Sequence, residues 1–239
     1  MLLRNKKNIQ TTEDLKQSYN NLYSGWMKDV DTSQQAEYML KLLSPHPGAS
    51  LLDAACGTGK LVTLALRFGL DPVGIDISEK AIGLAKDRYP DQHDRFICGD
   101  AESLPWEDSS FDYITNLGSL EHYMNPEAGC REMARVLKKD GKAVILLPNS
   151  HDLETIYKVY KTGEGPDDWQ DFERFATRNE WVSLLENNGM KVIDTKKYDL
   201  PCITPQGVFW NLYNLFRKYI PINLSRVFIF ICVKSEEDK

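Results

Sequence analysis

The 239-residue chain has no run approaching the roughly 20 consecutive apolar residues that a bilayer-spanning helix requires. Its start, Met1 to Leu15, is polar where a signal peptide would carry an apolar core. These absences lead us to expect a soluble, cytoplasmic protein with no stable membrane insertion. Positive charge is also short: 29 Lys and Arg against 35 Asp and Glu leave a net charge of -6. Nucleic-acid binding draws mainly on neutralised phosphates, so a nucleic-acid partner is not expected. The five cysteines, Cys56, Cys98, Cys130, Cys202 and Cys232, are scattered, form no CxxC pair and have no His at metal-ligand spacing. Reduced thiols and no metal are expected. Repeats and low-complexity tracts are absent. With 42% hydrophobic and 27% charged residues, the composition is that of an ordinary globular chain, and its length suits one domain.

What the sequence does have is alternation. Ser50 to Ala55, Pro72 to Ile77, Arg95 to Cys98, Phe111 to Leu117 and Lys142 to Leu147 are short apolar runs suited to strands buried on both faces. Helix-like stretches lie between them at Gly59 to Phe68, Ser78 to Tyr89 and Pro126 to Lys138. The last opens with Asn125 as N-cap and Pro126 at the first helical position. Thr177 and Glu180 form a capping box ahead of Trp181, Leu184 and Leu185, and Gly189 follows that helix. Val192 to Thr195 and Val227 to Val233 are two further strands. Strands separated by helices of this length imply an α/β, Rossmann-like doubly wound fold with a mostly parallel sheet.

One domain over 1–239 is expected, in three parts: an N-terminal helical cap (1–46), a core (47–148) and later insertions with the last strands (149–239). The cap reads as two or three helices, one from Ser33 to Leu43 with Ala36, Met39, Leu40 and Leu43 on its apolar face. Asn149 to Ala176 reads as a polar insertion, its acids Glu164, Asp167, Asp168, Asp171 and Glu173 in a solvated loop around Trp169 and Phe172. Leu200 to Leu224, with aromatic segment 208–220, reads as an amphipathic helix burying its stripe rather than as a membrane-contacting face, and with the N-terminal helices it is expected to cap an apolar acceptor.

Chemistry concentrates at Leu51 to Gly59, an apolar strand ending in an acid and running into a Gly-rich turn that opens a helix. A phosphate-binding loop would need Gly at 54 and Ser or Thr at 61, where the chain has Ala54 and Leu61. A dinucleotide fingerprint would need a small residue where Val62 stands. Asp53 repels a pyrophosphate at close range but suits a ligand with ammonium and sulfonium charges, which favours S-adenosylmethionine. The next strand ends agree. Asp76 can accept both ribose hydroxyls, with Ile77 as an apolar face for adenine. Asp100 can accept the adenine amino group while the Ala101 N–H meets a ring nitrogen.

The stretches LLDAACGTGK, VGIDIS, ICGDAESLPW, FDYITNLGSLEHY and REMARVLKKDGKAVILLP resemble the class I S-adenosylmethionine-dependent methyltransferases, over about Ser50 to Pro148. The resemblance is to the small-molecule branch similar to the ubiquinone and menaquinone biosynthesis methyltransferases. It implies a seven-stranded sheet of order 3-2-1-4-5-7-6 with the last strand antiparallel. It also implies S-adenosylmethionine as cofactor and S-adenosylhomocysteine as product. Carried over by position, Asp53, Ala55, Gly57 and Gly59, with Ala54 and Cys56 between them, surround the methionine part. Asp76 and Ile77 take ribose and adenine; Asp100, Ala101 and the adjacent Glu102 take adenine. Ala55 stands where many relatives have the first Gly of the loop.

Asn116, Leu117 and Gly118 end the fourth strand, beside the expected methyl group, and Glu121 and His122 follow. If the acceptor is a hydroxyl or an acidic carbon, His122 has the most suitable pKa for a base. His46, His93 and His151 read as exposed loop residues. Tyr19 and Tyr23 lie in a segment resembling the helix with which relatives close over the cofactor, and Trp26 reads as a packing residue. The leading expectation is an enzyme that methylates a small-molecule acceptor, as monomer or homodimer. A protein or RNA methyltransferase is the alternative, disfavoured by the acidic balance and by Asn116-Leu117-Gly118-Ser119 in place of an Asn-Pro-Pro-Tyr type motif. A non-catalytic S-adenosylmethionine-binding protein is the third.

Overall fold

Short apolar runs, each closed by a turn residue, build nine strands and seven α-helices among the residues that the computed structural model describes: 1–166, 170–198, 212 and 215–236. In chain order these are β1 (Leu2–Asn5), α1 (Thr12–Ser24), α2 (Ser33–Leu43), β2 (Ser50–Ala54), α3 (Lys60–Arg67), β3 (Asp71–Asp76), α4 (Glu79–Arg88) and β4 (Phe96–Cys98). There follow β5 (Phe111–Leu117), α5 (Pro126–Val136), β6 (Leu137–Pro148), α6 (Leu153–Thr162), β7 (Phe172–Phe175), α7 (Arg178–Glu186), β8 (Met190–Tyr198) and β9 (Val227–Lys234). Seven strands form one sheet in the order β4-β3-β2-β5-β6-β9-β8. All pairings are parallel except those of β9, which runs antiparallel to both neighbours. Counted along the sheet-forming strands, this is the expected order 3-2-1-4-5-7-6.

The central strands are mostly apolar because both faces are covered. Phe228, Phe230 and Cys232 of β9 join Ile145 and Leu147 of β6 on the side packed by Met133 of α5 and Trp181 of α7. Ile229 and Ile231 join Val144 and Leu146 on the other side, against Met39, Leu40 and Leu43 of α2 and Leu61 of α3. Burying each such large side chain contributes roughly 1.5–3 kcal/mol. The helix-start signals form as expected: the Asn125 side chain accepts from the Ala128 N–H at 3.0 Å, and Thr177 and Glu180 cap each other's backbone N–H.

The expected N-terminal helices form as α1 and α2, and Leu2–Asn5 adds β1, which pairs antiparallel with β7 in a separate two-stranded sheet, while Ile9 and Leu15 pack on Phe172. Two expectations need correction. The 149–176 insertion is not simply a solvated loop. It contains α6, capped by the Asp152 side chain, and β7, on which Glu173 is buried at 3% exposure. Trp26 does not pack onto the sheet; it is 52% exposed, because it sits on a short 3-10 turn beyond α1. Asp167, Asp168, Trp169, Cys202 and residues 208–211, 213 and 214 lie outside the described residues, so the expectation for the 208–220 segment falls partly there. Its described members Leu212, Leu215, Phe216 and Tyr219 are exposed.

Candidate functional site

In a doubly wound sheet the connections after two neighbouring central strands leave in opposite directions and open a crevice at their carboxyl ends. Here those strands are β2 and β5. A cavity of about 290 Å³ lies at this place, lined by residues from the ends of β2, β3 and β5, from the turn after β4 and from α1 and α2.

The loop after β2 is folded by its small residues. Ala55, Gly57 and Gly59 all have positive φ, of 67°, 53° and 75°. A Cβ on Gly57 would lie 2.6 Å from the Tyr23 hydroxyl, and one on Gly59 would lie 2.4 Å from the Phe96 ring. Glycine fits both positions, where a Cβ would crowd a ring and the backbone is left-handed. Ala55 adopts the left-handed conformation despite its Cβ, at a cost of about 1–2 kcal/mol.

Two buried carboxylates flank this turn. Asp76, at the end of β3, accepts from the Gly57 N–H at 2.8 Å and the Ser78 N–H at 2.9 Å. Asp53, on β2, accepts from the Thr115 hydroxyl at 2.7 Å. Burial pushes Asp53 up to about 7, against the Thr115 hydrogen bond. Burial also pushes Asp76 up to about 6, against its two backbone hydrogen bonds. A cation between these groups recovers part of the lost solvation. Cys56 lines the same wall, but burial drives its thiol well above the ordinary range, so it is an apolar wall element and no nucleophile.

Of the expected site residues, Tyr19, Tyr23, Asp53, Ala55, Cys56, Gly57, Asp76, Ile77, Asp100, Ala101, Glu102, Leu117 and His122 all line the cavity. Ala54, Gly59 and Asn116 are not among its lining residues. Ala54 lies inside β2, and Gly59 is the residue from which α3 starts. The fully buried Asn116 side chain donates to the Ala54 carbonyl and the Tyr123 hydroxyl and accepts from the Leu120 N–H. It ties β5 to β2 and shapes the turn after β5. Trp26, Met27, Val30, Gln35 and Ala36 also line the cavity. Of these, the sequence singled out Trp26 as a packing aromatic and Ala36 through the amphipathic spacing of α2.

The helix α1 closes the site. Tyr19 donates to Gln170 at 2.8 Å, Ser18 to Asp171 at 2.5 Å, and Asn20 accepts from the Ser78 hydroxyl at 2.8 Å. His122 is 2% exposed, and its Nδ1 lies 2.6 Å from the Phe172 carbonyl. A carbonyl only accepts, so Nδ1 carries a proton. Glu121 Oε1 lies 3.7 Å from that Nε2, and Glu173 completes a buried trio. Glu173 was missed as a site residue because it is fifty positions away in an acidic stretch. No described helix is long and apolar enough to cross a membrane.

Residues 52–145 match the family model described as a methyltransferase domain. The chain is 38% identical over 117 residues to the demethylmenaquinone methyltransferase of Renibacterium salmoninarum, which is 48% of each protein. It is 27% identical over 188 residues to that of Staphylococcus saprophyticus, covering 74% of this chain and 81% of the relative. The match thus spans about half the length of the first relative and most of the second. Among solved structures, a Haloferax volcanii putative methyltransferase in complex with the Trm112 activator superposes with a TM-score of 0.68 at 17% identity, over 96% of this chain and 100% of that one. A Streptomyces coelicolor geranyl diphosphate C-methyltransferase superposes with a TM-score of 0.61 at 15% identity, over 85% and 76%. These two likenesses concern the fold. The matched sequence, the sheet order and the acids at successive strand ends make the chain similar to the class I S-adenosylmethionine-dependent methyltransferases, those of quinone biosynthesis among them.

Proposed function

We propose that the protein transfers a methyl group from S-adenosylmethionine to a small, largely apolar acceptor. The observation that carries this reading is the pair of buried carboxylates, Asp53 and Asp76, on adjacent strand ends either side of the glycine turn. A cationic ligand suits them; a pyrophosphate does not. The cofactor supplies an electrophilic methyl on a sulfonium, and the chain's task is to hold an acceptor in line with it.

In this reading Asp76 takes the ribose hydroxyls through the oxygen lone pairs not used by Gly57 and Ser78. Asp100, Ala101 and Glu102 take the adenine, and Tyr19 and Tyr23 cover the methionine part. The acceptor lies towards Leu117, Gly118 and His122, under the apolar Trp26, Met27 and Val30, where an aromatic quinol like those of the named relatives would be matched in polarity. His122 meets the acceptor's oxygen or acidic carbon through Nε2.

The test has two stages. Calorimetric titration with S-adenosylhomocysteine is expected to give micromolar binding that Asp76→Ala abolishes. Transfer of labelled methyl from S-adenosylmethionine to a demethylated naphthoquinol is then expected in the wild type. Failure of the folded wild type to bind S-adenosylhomocysteine refutes the reading, and binding without transfer to any small acceptor supports the non-catalytic alternative.

A further inference from the structure

We propose that Lys60 selects ligands that carry an amino-acid carboxylate, by exchanging its contact with Asp31 for that anion. The inference deepens the methyl-transfer reading above and rests on it. S-adenosylmethionine carries charge of both signs. Its sulfonium and ammonium suit Asp53 and Asp76, whereas its α-carboxylate is repelled by them. Inside a cavity that carboxylate needs a cation or donors of its own, because leaving it unpaired there costs binding energy.

One side chain answers that need. Asp53, Asp76, Asp100 and Glu102 line the cavity as acids, and among the described lining residues Lys60 is the single lysine or arginine. It directly follows Gly59, so its side chain leaves the same glycine turn that Asp76 fastens. Local helix energetics do not account for a lysine at this place. Lys60 is the first residue of α3, at the helix end that favours acids, and no acid shares that first turn. Arg88 is not an alternative. It is not among the lining residues, and its guanidinium donates to the Thr58 hydroxyl at 3.4 Å and the Lys28 carbonyl at 3.1 Å.

The present partner of Lys60 is easily given up. Its ammonium stands 3.5 Å from Asp31 Oδ1, and the Asp31 side chain is 73% exposed. An ion pair in that setting is screened by water and contributes little. Asp31 also accepts from the Ser33 N–H at 3.0 Å and from the Ser33 hydroxyl, so it stays hydrogen-bonded when the ammonium turns away. The flexible four-carbon stem of a lysine permits that turn without moving α3. The exchange therefore replaces a loose contact in solvent with a charge-assisted hydrogen bond in the cavity.

The experiment titrates the full chain by calorimetry with two ligands that differ by the carboxylate alone, S-adenosylmethionine and its decarboxylated form. The readout is the ratio of their dissociation constants. Lys60→Gln is expected to move that ratio at least tenfold towards the decarboxylated ligand, through lost affinity for S-adenosylmethionine, while the decarboxylated form binds within about twofold of wild type. Lys60→Arg, which keeps the charge, should restore most of the preference, and it carries the comparison if Lys60→Gln fails to fold: a ratio changed tenfold by the arginine would then count against the inference. Equal weakening of both ligands by Lys60→Gln overturns the proposal, because it shows a structural role. Unchanged affinity for S-adenosylmethionine in Lys60→Gln overturns it as well and leaves the cofactor reading intact. Failure of the folded wild type to bind either ligand is a different result, the failure of the methyl-transfer reading itself.

Discussion

The Gly57 N–H donates to the Asp76 carboxylate at 2.8 Å, so the glycine turn after β2 is fastened to the end of β3 by the residue expected to hold the ribose. One carboxylate thus shapes the loop and faces the ligand. Its neighbour Asp53 is buried beside the same turn, so two buried carboxylates face one cavity.

That charge makes stability and binding depend on pH in opposite directions. Asp53 and Asp76 have folded pKa values of about 7 and about 6, both raised from 3.8 by burial. Between the unfolded and folded values the native state holds more protons, so this contribution to stability falls as pH rises from about 4 to about 7. The ligand-free protein is expected to melt several degrees higher at about pH 5 than at about pH 7.5. S-adenosylmethionine, cationic at sulfur and nitrogen, prefers the ionised acids, so its affinity should rise across the same interval and binding near pH 6 should release protons. Calorimetry in buffers of different ionisation enthalpy measures that release. Proton uptake instead would show that the ligand does not meet these carboxylates.

Thr115 tunes this pair without touching the cavity. Its hydroxyl is fully buried and donates to Asp53 at 2.7 Å. A hydrogen bond to a charged group is worth about 1.5–3 kcal/mol, so Thr115→Val should weaken S-adenosylmethionine binding at pH 7 about tenfold or more. The deficit should shrink at about pH 8.5, where Asp53 ionises even without its partner. An unchanged dissociation constant at pH 7 would mean that Asp53 is already neutral in the complex.

Ala55 offers a test of local strain. At φ 67° its Cβ is unfavourable, whereas glycine adopts this conformation freely. Ala55→Gly removes about 1–2 kcal/mol of strain and adds about 0.5–1 kcal/mol of unfolded-chain entropy. A net gain of about 0.5–1 kcal/mol is expected in urea denaturation. A loss would show that the Ala55 methyl contributes more as cavity wall than it costs in backbone strain.

These elements were legible in the sequence because their signals are local. An apolar run followed by an acid and glycines marks a strand end, and Asn125 or Thr177 marks a helix start, within a few residues. The β1–β7 pairing was not legible, because it joins Leu2 to Phe175 through two four-residue strands with no period-2 alternation. Glu173 reads in sequence as one more acid in a polar stretch; only that remote pairing and the packing of Phe172 on Ile9 and Leu15 turn it inward. Asn116 was assigned to the cavity from its position at a strand end, but a period-2 argument cannot tell which strand-end side chains turn back to satisfy buried carbonyls. The exposure of Trp26 follows from Gly25 ending α1, which redirects the chain before the indole can reach the sheet.

The last prediction concerns how α1 leaves the site. Asp171 accepts from the Ser18 hydroxyl at 2.5 Å and pairs with Lys7 at 2.8 Å, while Tyr19 reaches Gln170 one residue earlier. The helix is therefore latched to the segment leading into β7, and Leu15, Tyr19 and Tyr23 on its inner face cover the cavity. Asp171→Ala removes two of these ties, and Asp171 does not itself line the cavity, so the ligand's own contacts are kept. Release of bound S-adenosylhomocysteine, followed by stopped flow, should accelerate about tenfold, the equivalent of about 1.4 kcal/mol, with a smaller change in association rate. Hydrogen exchange of residues 12–24 should rise in parallel, while that of β2 and β5 stays unchanged. Equal release rates in wild type and variant would mean that product leaves by a path that does not require α1 to lift, and would move attention to the exposed Trp26 and Val30 side of the cavity as the exit.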